Sequence, residues 1–322
     1  MQTVDPVSDE VSSNAPSETP SNVRSEAAKK IQKRDAWSRR IPLLPALIFL
    51  IAVTQIPFVL SIYYSLTEWT VNPPRPRTFE GVENYTFAFT DDFFRDAAWV
   101  TAKMTFWSVV LSVLFGLGMA MLLDRKFRGV GVVRTLVLTP FLVMPVVASL
   151  VWKTQMFDAS FGMINWFTDQ LGLEPYEFVS RRPLWSVIAV LVWQWTPFMM
   201  LILLAGLQSQ SDSVLEAARV DGATKWGIFR QITLPHLRSY IELCALLGAI
   251  YLIQVFDHIV GLAGGVASTR NLPFFVYRTS IGGGWRFGEA SAYSIIVVVI
   301  TIIFATFGLR VLSGLLEGED AA

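Results

Sequence analysis

The stretch SVLEAARVDGATKWGIFRQITLPHL, residues 213–237, is a polar segment that separates two long apolar runs. It opens with Ser213 and, three residues later, Glu216, which is the spacing of a capping box at the start of a helix. Gly222 then predicts a turn, because glycine has no Cβ atom and adopts turn conformations that other residues resist. The segment is therefore expected to begin as a short helix that ends at a glycine.

The second part of the segment predicts another short helix, over about residues 224–233. Trp226, Phe229 and Ile232 are three residues apart and give this helix one apolar face. Pro235 should end it, since proline has no backbone N–H and disfavours helix at the residue before it. Two short helices with charged groups between apolar side chains suit a groove on a partner protein better than they suit lipid.

The pattern resembles the cytoplasmic EAA loop of permease subunits of binding-protein-dependent ABC importers, in the fuller form found in carbohydrate-uptake systems. The matching positions are Glu216, Ala217, Ala218, Asp221, Gly222, Ala223, Phe229, Ile232, Leu234 and Pro235. The resemblance implies that the segment is a coupling helix, which sits in a cleft of a separate ATPase subunit and transmits the closure of that subunit to the membrane.

The resemblance also implies what these ATPase-coupling residues do. Glu216 and Asp221 would position the loop, and Gly222 would make its turn. The side chains that would fill the partner's groove are Ala217, Ala218, Ala223 and Phe229, and the motif closes with Leu234 and Pro235. The alternative is an amphipathic loop that only lies on the bilayer surface.

The composition indicates a membrane protein. Of 322 residues, 53% are hydrophobic and 16% are charged, against about a quarter charged in soluble domains. The net charge is zero, so it indicates no nucleic-acid partner. The single cysteine, Cys244, excludes an internal disulfide and a cysteine metal cluster.

Six apolar stretches are each close to the roughly 20 residues that a helix needs to cross a bilayer. They lie at about 42–65, 104–123, 135–156, 184–207, 240–260 and 291–314. Pro140 and Pro145 should kink the third, and prolines within spans are tolerated where neighbouring helices satisfy the freed carbonyls. The expected fold is all-α, a polytopic membrane protein with six transmembrane helices, and the resemblance implies the type I ABC importer permease fold.

The distribution of Lys and Arg predicts the orientation. With the N terminus inside, sixteen of these residues lie on the inner side and ten on the outer side. Both termini and the coupling loop are therefore expected in the cytoplasm, and the resemblance implies the inner membrane of a prokaryote. The expected domains are a cytoplasmic tail that is disordered and then basic, a six-helix permease domain that contains coupling loop 208–238, and a short cytoplasmic C-terminal tail, at residues 1–40, 41–316 and 317–322.

Polar groups inside the spans predict a substrate pathway, because such groups are costly in lipid. The candidates are the polar residues Gln194, Gln254, Asp257 and His258, with Trp193 and Trp195 on either side of Gln194. Aromatic faces and amide or carboxylate groups together suit a polyhydroxylated ligand. On a continuous helix, Gln254 would share a face with Asp257 and with His258. Alternatively the aromatic residues only pack helices, Gln194 bonds a neighbouring helix, and Asp257 pairs with an arginine of an outer loop.

The resemblance implies the partners. They are a second homologous permease subunit, giving a heterodimer, two ATPase subunits at the coupling loop, which use ATP and Mg, and an extracytoplasmic solute-binding protein. The chain itself has no phosphate-binding loop, no catalytic residues and no metal-ligand spacing around His236 and His258, so no cofactor is expected on it. Residues 138–153 and 193–209 resemble sorbitol and mannitol permeases, which implies a sugar or sugar alcohol as substrate.

Two other functional classes are open to an apolar chain of this kind. An ion-coupled secondary transporter would have internal repeats with broken helices near the midplane, and the sequence has no evident repeat of that kind. A membrane-embedded enzyme would need a cluster of acid, base or metal ligands, for which Asp257 and His258 alone are too few.

Overall fold

The computed structural model describes residues 41–125 and 127–319. The expected N-terminal tail, residues 1–40, lies outside the described residues, and so do the last three residues of the expected C-terminal tail. The chain divides into two compact units, residues 1–60 and 61–322. The second unit contains both the packed core and the candidate functional residues.

The described residues are mostly helical. The long helices are α1 Leu44–Ser65, α3 Asp92–Leu123, α8 Pro183–Gln208 and α14 Phe287–Glu319. The shorter helices are α2 Glu83–Thr90, α4 Val130–Leu142, α5 Pro145–Val151, α6 Met163–Gln170, α7 Phe178–Arg181, α9 Asp212–Val220, α10 Lys225–Ile228, α11 Leu234–His236, α12 Arg238–Leu252 and α13 Leu272–Ser280. Three segments are π-helical: π1 Trp152–Met156, π2 Phe229–Thr233 and π3 Ile259–Ala263. Two short strands, β1 Thr67–Glu68 and β2 Thr78–Phe79, pair antiparallel, and 3-10 turns occupy Ile41–Leu43 and Ala267–Thr269.

Four helices within the described residues are long and apolar enough to cross a membrane: α1, α3, α8 and α14 up to Thr306. A fifth apolar element consists of α4 followed by α5 and π1, bent by 97° between its halves. The kink expected in the third span is confirmed at Pro145, which is the first residue of α5 after the bend, whereas Pro140 lies inside α4. The first, second, fourth and sixth predicted spans therefore correspond to single helices and the third to a broken one.

The fifth predicted span, residues 240–260, is not one continuous helix, so the prediction is wrong in that respect. α12 ends at Leu252, and helical structure resumes only at Asp257, before π3. Inside this break, the side-chain amide of the fully buried Asn271 donates to the carbonyl of Val255. Irregular backbone is tolerated at membrane depth where the protein satisfies its polar groups in this way, and a hydropathy pattern does not reveal such a partner.

The core of the second unit forms around the close contact between α3 and α8. Small buried residues recur every four positions along α3: Ser108, Ser112, Gly116 and Ala120. A Cβ atom on Gly116 would lie 2.9 Å from Met199 Cβ and 3.0 Å from the backbone nitrogen of Met200. Small residues allow helix backbones to approach this closely, so α3 and α8 form a tightly fitted pair.

Gly116→Ala should lower the stability of the protein, because the added methyl group has no room beside α8. Overpacking of this kind typically costs about 1–3 kcal/mol, so we expect a lower melting temperature for the detergent-solubilised protein. Gly118→Ala on the same helix is the matched control, since a Cβ atom there meets nothing within 4 Å. Equal melting temperatures for the two variants would contradict this packing.

Candidate functional site

The first helix of the coupling loop, α9, starts two residues earlier than the predicted capping box implies. Its N-cap is Ser211, and Asp212 lies in its first turn. The capping box expected from Ser213 and Glu216 is wrong: the Ser213 hydroxyl lies 2.7 Å from the Ser211 hydroxyl and caps no backbone group. Glu216 is consequently an exposed residue in the middle of the helix, where it is free to meet a partner.

The turn after α9 is the one that the sequence predicts. Gly222 has a φ of 81°, a backbone conformation that favours glycine. Its N–H donates to the carbonyl of Arg219 at 3.1 Å, and the N–H of Ala223 donates to the carbonyl of Ala218 at 3.0 Å. These two bonds form a Schellman motif, which satisfies the last carbonyls of the helix and fixes the direction in which the chain leaves it.

The helix after this turn continues through Pro235, so the expectation that the proline ends it is wrong. The Thr224 hydroxyl caps α10 by accepting from the N–H of Gly227 at 3.1 Å. The chain then passes through π2, where the N–H of Leu234 donates to the carbonyl of Phe229, and continues into α11. The extra residue in the π turn comes immediately before the proline, so the helical path is kept although Pro235 has no N–H to donate.

The loop presents apolar side chains to its surroundings. Val220 is 87% exposed and Trp226 is 68% exposed, and the indole of Trp226 stacks on Phe229 with ring centroids 5.4 Å apart. We name Val214, Val220, Trp226 and Phe229 the coupling surface. The sequence prediction missed Val214 and Val220, although apolar residues in an otherwise polar segment were a usable signal.

The predicted ATPase-coupling residues lie on or beside this surface. Most are exposed: Glu216, Ala217, Asp221, Gly222, Ala223, Leu234 and Pro235. Ala218 and Phe229 are partly buried. Seven of these nine residues are therefore accessible to a second protein, and the other two are partly accessible.

Hydrogen bonds fix the base of the loop to the helices on either side. The Nε2 atom of His236 lies 3.1 Å from the carbonyl oxygen of Gly206 in α8 and 3.1 Å from the Ser209 hydroxyl. The same hydroxyl lies 3.0 Å from the phenol oxygen of Tyr240 in α12. A Cβ atom on Gly206 would be 2.7 Å from the Tyr240 ring. The loop base is therefore attached to both α8 and α12.

Gln194 is buried and lies between two other elements. Its side chain is 4% exposed, and its amide nitrogen donates to the carbonyl of Val143 at 2.6 Å. Its amide oxygen accepts from the Nε2 atom of His258, also at 2.6 Å. Both ends of the amide are thus occupied by protein groups. The sequence pattern groups His258 with Gln254 and Asp257 but does not predict its contact with Gln194, because that contact joins residues 64 positions apart.

The two tryptophans that flank Gln194 face different surroundings. Trp195 lies against Tyr251 of α12, with ring centroids 5.4 Å apart, and against Phe141 and Phe198 at 5.7 Å each. Trp193 lies against Trp152 at 5.5 Å and lines an apolar groove of about 610 Å³ between α3, α4 and α8. The structure therefore groups only Trp195 with the aromatic side chains near α12.

Gln254 and Asp257 lie in and just after the break that follows α12, and both are exposed. They do not share the face of one continuous helix, so that expectation is wrong. The amide of Gln254 donates to the carbonyl of Ile250 at 3.1 Å, and within the described part of the chain Asp257 forms no ion pair with an arginine. Tyr251, which the sequence prediction missed, is 55% exposed three residues before Gln254.

Comparisons with known proteins agree with this architecture. Residues 103–315 match the family described as binding-protein-dependent transport system inner membrane component. The chain is 32% identical to the trehalose/maltose transport system permease protein MalF of Thermococcus litoralis. The aligned 290 residues cover 88% of this chain and 96% of that protein. It is 31% identical over 268 residues to the trehalose transport system permease protein SugA of Mycobacterium tuberculosis H37Rv, covering 81% and 85% of the two chains.

A solved structure confirms the fold class. A chain in the crystal structure of a bacterial alginate ABC transporter, in complex with an alginate pentasaccharide-bound periplasmic protein, superposes with a TM-score of 0.73 at 22% identity, covering 87% of this chain and 94% of that chain. The all-α ABC importer permease fold expected from the sequence is thus confirmed. The match over residues 103–315 together with these relatives shows that this chain belongs to the family of binding-protein-dependent transport system inner membrane components, and is a transport subunit rather than an enzyme.

Proposed function

We propose that this chain is one half of a permease pair that imports a sugar or a sugar alcohol, driven by ATP hydrolysis in separate subunits. The observation that carries the proposal is the coupling loop, whose exposed apolar side chains stand on a base hydrogen-bonded to α8 and α12. The trehalose and maltose named for two relatives support a small carbohydrate as the substrate.

The proposed coupling runs from the ATPase to the membrane helices. Two ATPase subunits, which use ATP and Mg, close on each other and move the loops that sit in their clefts. Glu216 and Asp221 position this loop, Gly222 sets its turn, and the coupling surface with Ala217, Ala218, Ala223, Leu234 and Pro235 fills the cleft. Because Ser209 and His236 attach the loop base to α8 and α12, the movement reaches the helices that carry the candidate pathway. The chain itself binds no cofactor in this scheme.

The proposed assembly has a direction. The second permease subunit is a homologous but different chain, and the solute-binding protein docks on the outer side. Both termini and coupling loop 208–238 lie in the cytoplasm, with tails at residues 1–40 and 317–322 on either side of the permease domain, residues 41–316. The excess of Lys and Arg on the inner side supports this orientation.

The proposed substrate pathway follows the exposed side of α12 and the break after it. Trp195 and Tyr251 offer aromatic faces for the C–H surface of a sugar, and Gln254 and Asp257 offer groups that bond hydroxyls. Gln194 supports this region from inside the bundle. Trp193 was predicted with this set, but it lines the apolar groove instead, so we propose that it contributes to packing.

Trp195→Leu should raise the KM for uptake about tenfold, the equivalent of about 1.4 kcal/mol of binding, because the pathway loses an aromatic face. Trp193→Leu is the matched control, with the same substitution two positions away in a different environment, and it should leave KM within about twofold. Uptake of radiolabelled substrate at several concentrations measures both values. A larger effect for Trp193→Leu would contradict the proposed pathway.

The substrate class is tested by uptake of radiolabelled trehalose, maltose, sorbitol and mannitol in cells that express the chain with its partner permease, ATPase and binding protein. We expect uptake of at least one of these compounds, and loss of that uptake when the gene for this chain is deleted. If none of the four is taken up by a complex that hydrolyses ATP, the assignment to small carbohydrates is wrong.

A further inference from the structure

Two helical elements of the bundle are interrupted. α4 ends at Leu142 and α5 begins at Pro145 after the 97° bend, while α12 ends at Leu252 and helix resumes at Asp257. A break frees backbone carbonyls from their helical partners, and each needs another donor at membrane depth. The groups that satisfy these carbonyls therefore decide how the broken elements are held.

The side chain of Gln194 links the two interrupted elements. The carbonyl that it binds, that of Val143, lies in the first break, and the imidazole that it binds, that of His258, lies just after the second. Both hydrogen bonds are 2.6 Å long, and Gln194 and His258 are each 4% exposed. One buried amide on the continuous helix α8 thus connects both breaks.

The segments that follow the two breaks are also in direct contact. A Cβ atom on Gly261 of π3 would lie 2.7 Å from the Cβ atom of Ser149 in α5. The second break is closed separately, since Asn271 donates to the carbonyl of Val255 and accepts from the N–H of Phe274 at 3.1 Å. The link through Gln194 and His258 is therefore part of a close contact between the segments that follow the two breaks. Neither segment is joined by a continuous helix to the one before its break.

We propose that Gln194 and His258 are positioning residues that form a clamp: they hold the two broken elements together in one access state of the transporter and separate in the other. The proposal rests on the proposed function, because only an alternating transporter has two such states. A buried amide and imidazole that lose each other must find other partners, which is costly in a low-dielectric interior. The clamp therefore stabilises the state in which it is closed.

The clamp differs from a substrate contact in what its loss should do. Both polar ends of the Gln194 amide bind protein, so removing it takes away no bond to the substrate. The loss should instead loosen the link between the bundle and the ATPase, because α8 carries Gln194 and also joins the base of the coupling loop. The expected effect is on the coupling of ATP hydrolysis to the binding protein.

The test uses the complete complex of this chain, partner permease, ATPase and solute-binding protein in proteoliposomes. ATP hydrolysis is measured with and without the binding protein, and KM is measured by uptake of trehalose or whichever panel compound the wild type transports. We expect Gln194→Met and His258→Phe each to raise hydrolysis without the binding protein and to lower its stimulation about tenfold, with KM within twofold of wild type. The double variant should be no worse than Gln194→Met alone, since the bond that His258→Phe breaks is already lost in that variant.

Two further variants separate the clamp from a general loss of structure. His258→Gln keeps an N–H donor and should retain at least half of the stimulation. Gln155→Met removes an exposed amide from π1, after the first break, and should leave the stimulation unchanged. Gln194→Met and His258→Phe could each reduce the yield of folded protein. In that case His258→Gln tests the clamp: if this variant folds at the wild-type yield and loses the stimulation, the clamp is wrong. Additive effects in the double variant, or a raised KM with normal stimulation, would overturn the proposal. A wild-type complex without binding-protein-stimulated hydrolysis would instead contradict the proposed function.

Discussion

We expect Gly222→Pro to reduce ATP-driven uptake to background while the chain still reaches the membrane. Proline fixes φ near −65°, whereas Gly222 has a φ of 81°. The substitution also removes the N–H that donates to the carbonyl of Arg219. The chain then leaves α9 in another direction, and the two halves of the coupling surface no longer face one cleft.

The matched control for this variant is Gly172→Pro. Gly172 also has a positive φ, 72°, and its N–H donates to the carbonyl of Asp169 at 2.9 Å, but it lies in a different loop. Copurification of the ATPase with each variant, measured at equal membrane levels, separates the two outcomes. Gly222→Pro should lose the ATPase and Gly172→Pro should keep it. Normal uptake by Gly222→Pro would mean that the loop does not couple ATP hydrolysis to transport.

Val220→Lys should weaken binding of the ATPase about a hundredfold, because a cleft that takes an apolar side chain would have to bury an unpaired charge. The substitution should not harm the chain itself. Val220 is 87% exposed and is the last residue of α9, and a cation is favourable at the C-terminal end of a helix. Titration of the detergent-solubilised permease with purified ATPase measures the change in Kd.

Val266→Lys provides the comparison for this prediction, since Val266 is also exposed, at 46%, but lies in the loop after π3. Its Kd for the ATPase should equal that of the wild type. Both variants should melt at the wild-type temperature. If Val220→Lys binds the ATPase with the wild-type Kd, Val220 does not belong to the contact surface.

The coupling loop shows what local sequence can predict. The turn at Gly222 follows from the missing Cβ atom alone, and the structure confirms it. The start of α9 and the effect of Pro235 were predicted wrongly, because each depends on a choice between similar local structures. Ser211 rather than Ser213 occupies the N-cap position, without a side-chain capping bond, and a π turn carries the helix past the proline.

The broken elements show where local patterns stop being sufficient. The prolines at 140 and 145 indicate a kink in the third span, and the structure has a sharp bend there. Nothing in residues 240–260 signals the break after Leu252, since the side chain that binds the Val255 carbonyl comes from Asn271, later in the chain. Apolar composition predicts that a segment lies in the membrane, but not that it is straight.

The candidate pathway depends on tertiary contacts in the same way. The sequence indicates that Trp193, Gln194 and Trp195 lie together on one helix, but neighbours in a helix point in different directions. The contact of Trp195 with Tyr251 and the bond between Gln194 and His258 both require α8 to meet elements more than fifty residues away. A single sequence does not predict such contacts. They separate the pathway candidates, Trp195, Tyr251 and Gln254, from the proposed clamp of Gln194 and His258.

Uptake by proteoliposomes decides whether this chain works in an ATP-driven importer. The vesicles contain this chain, its partner permease and the ATPase, with the binding protein and labelled substrate outside and ATP with Mg enclosed. We expect accumulation that needs enclosed ATP, the ATPase subunit and the binding protein together, and that continues when ionophores collapse all ion gradients. Accumulation that proceeds without the ATPase and stops on addition of ionophore would rule out ATP-driven import and would identify an ion-coupled transporter instead.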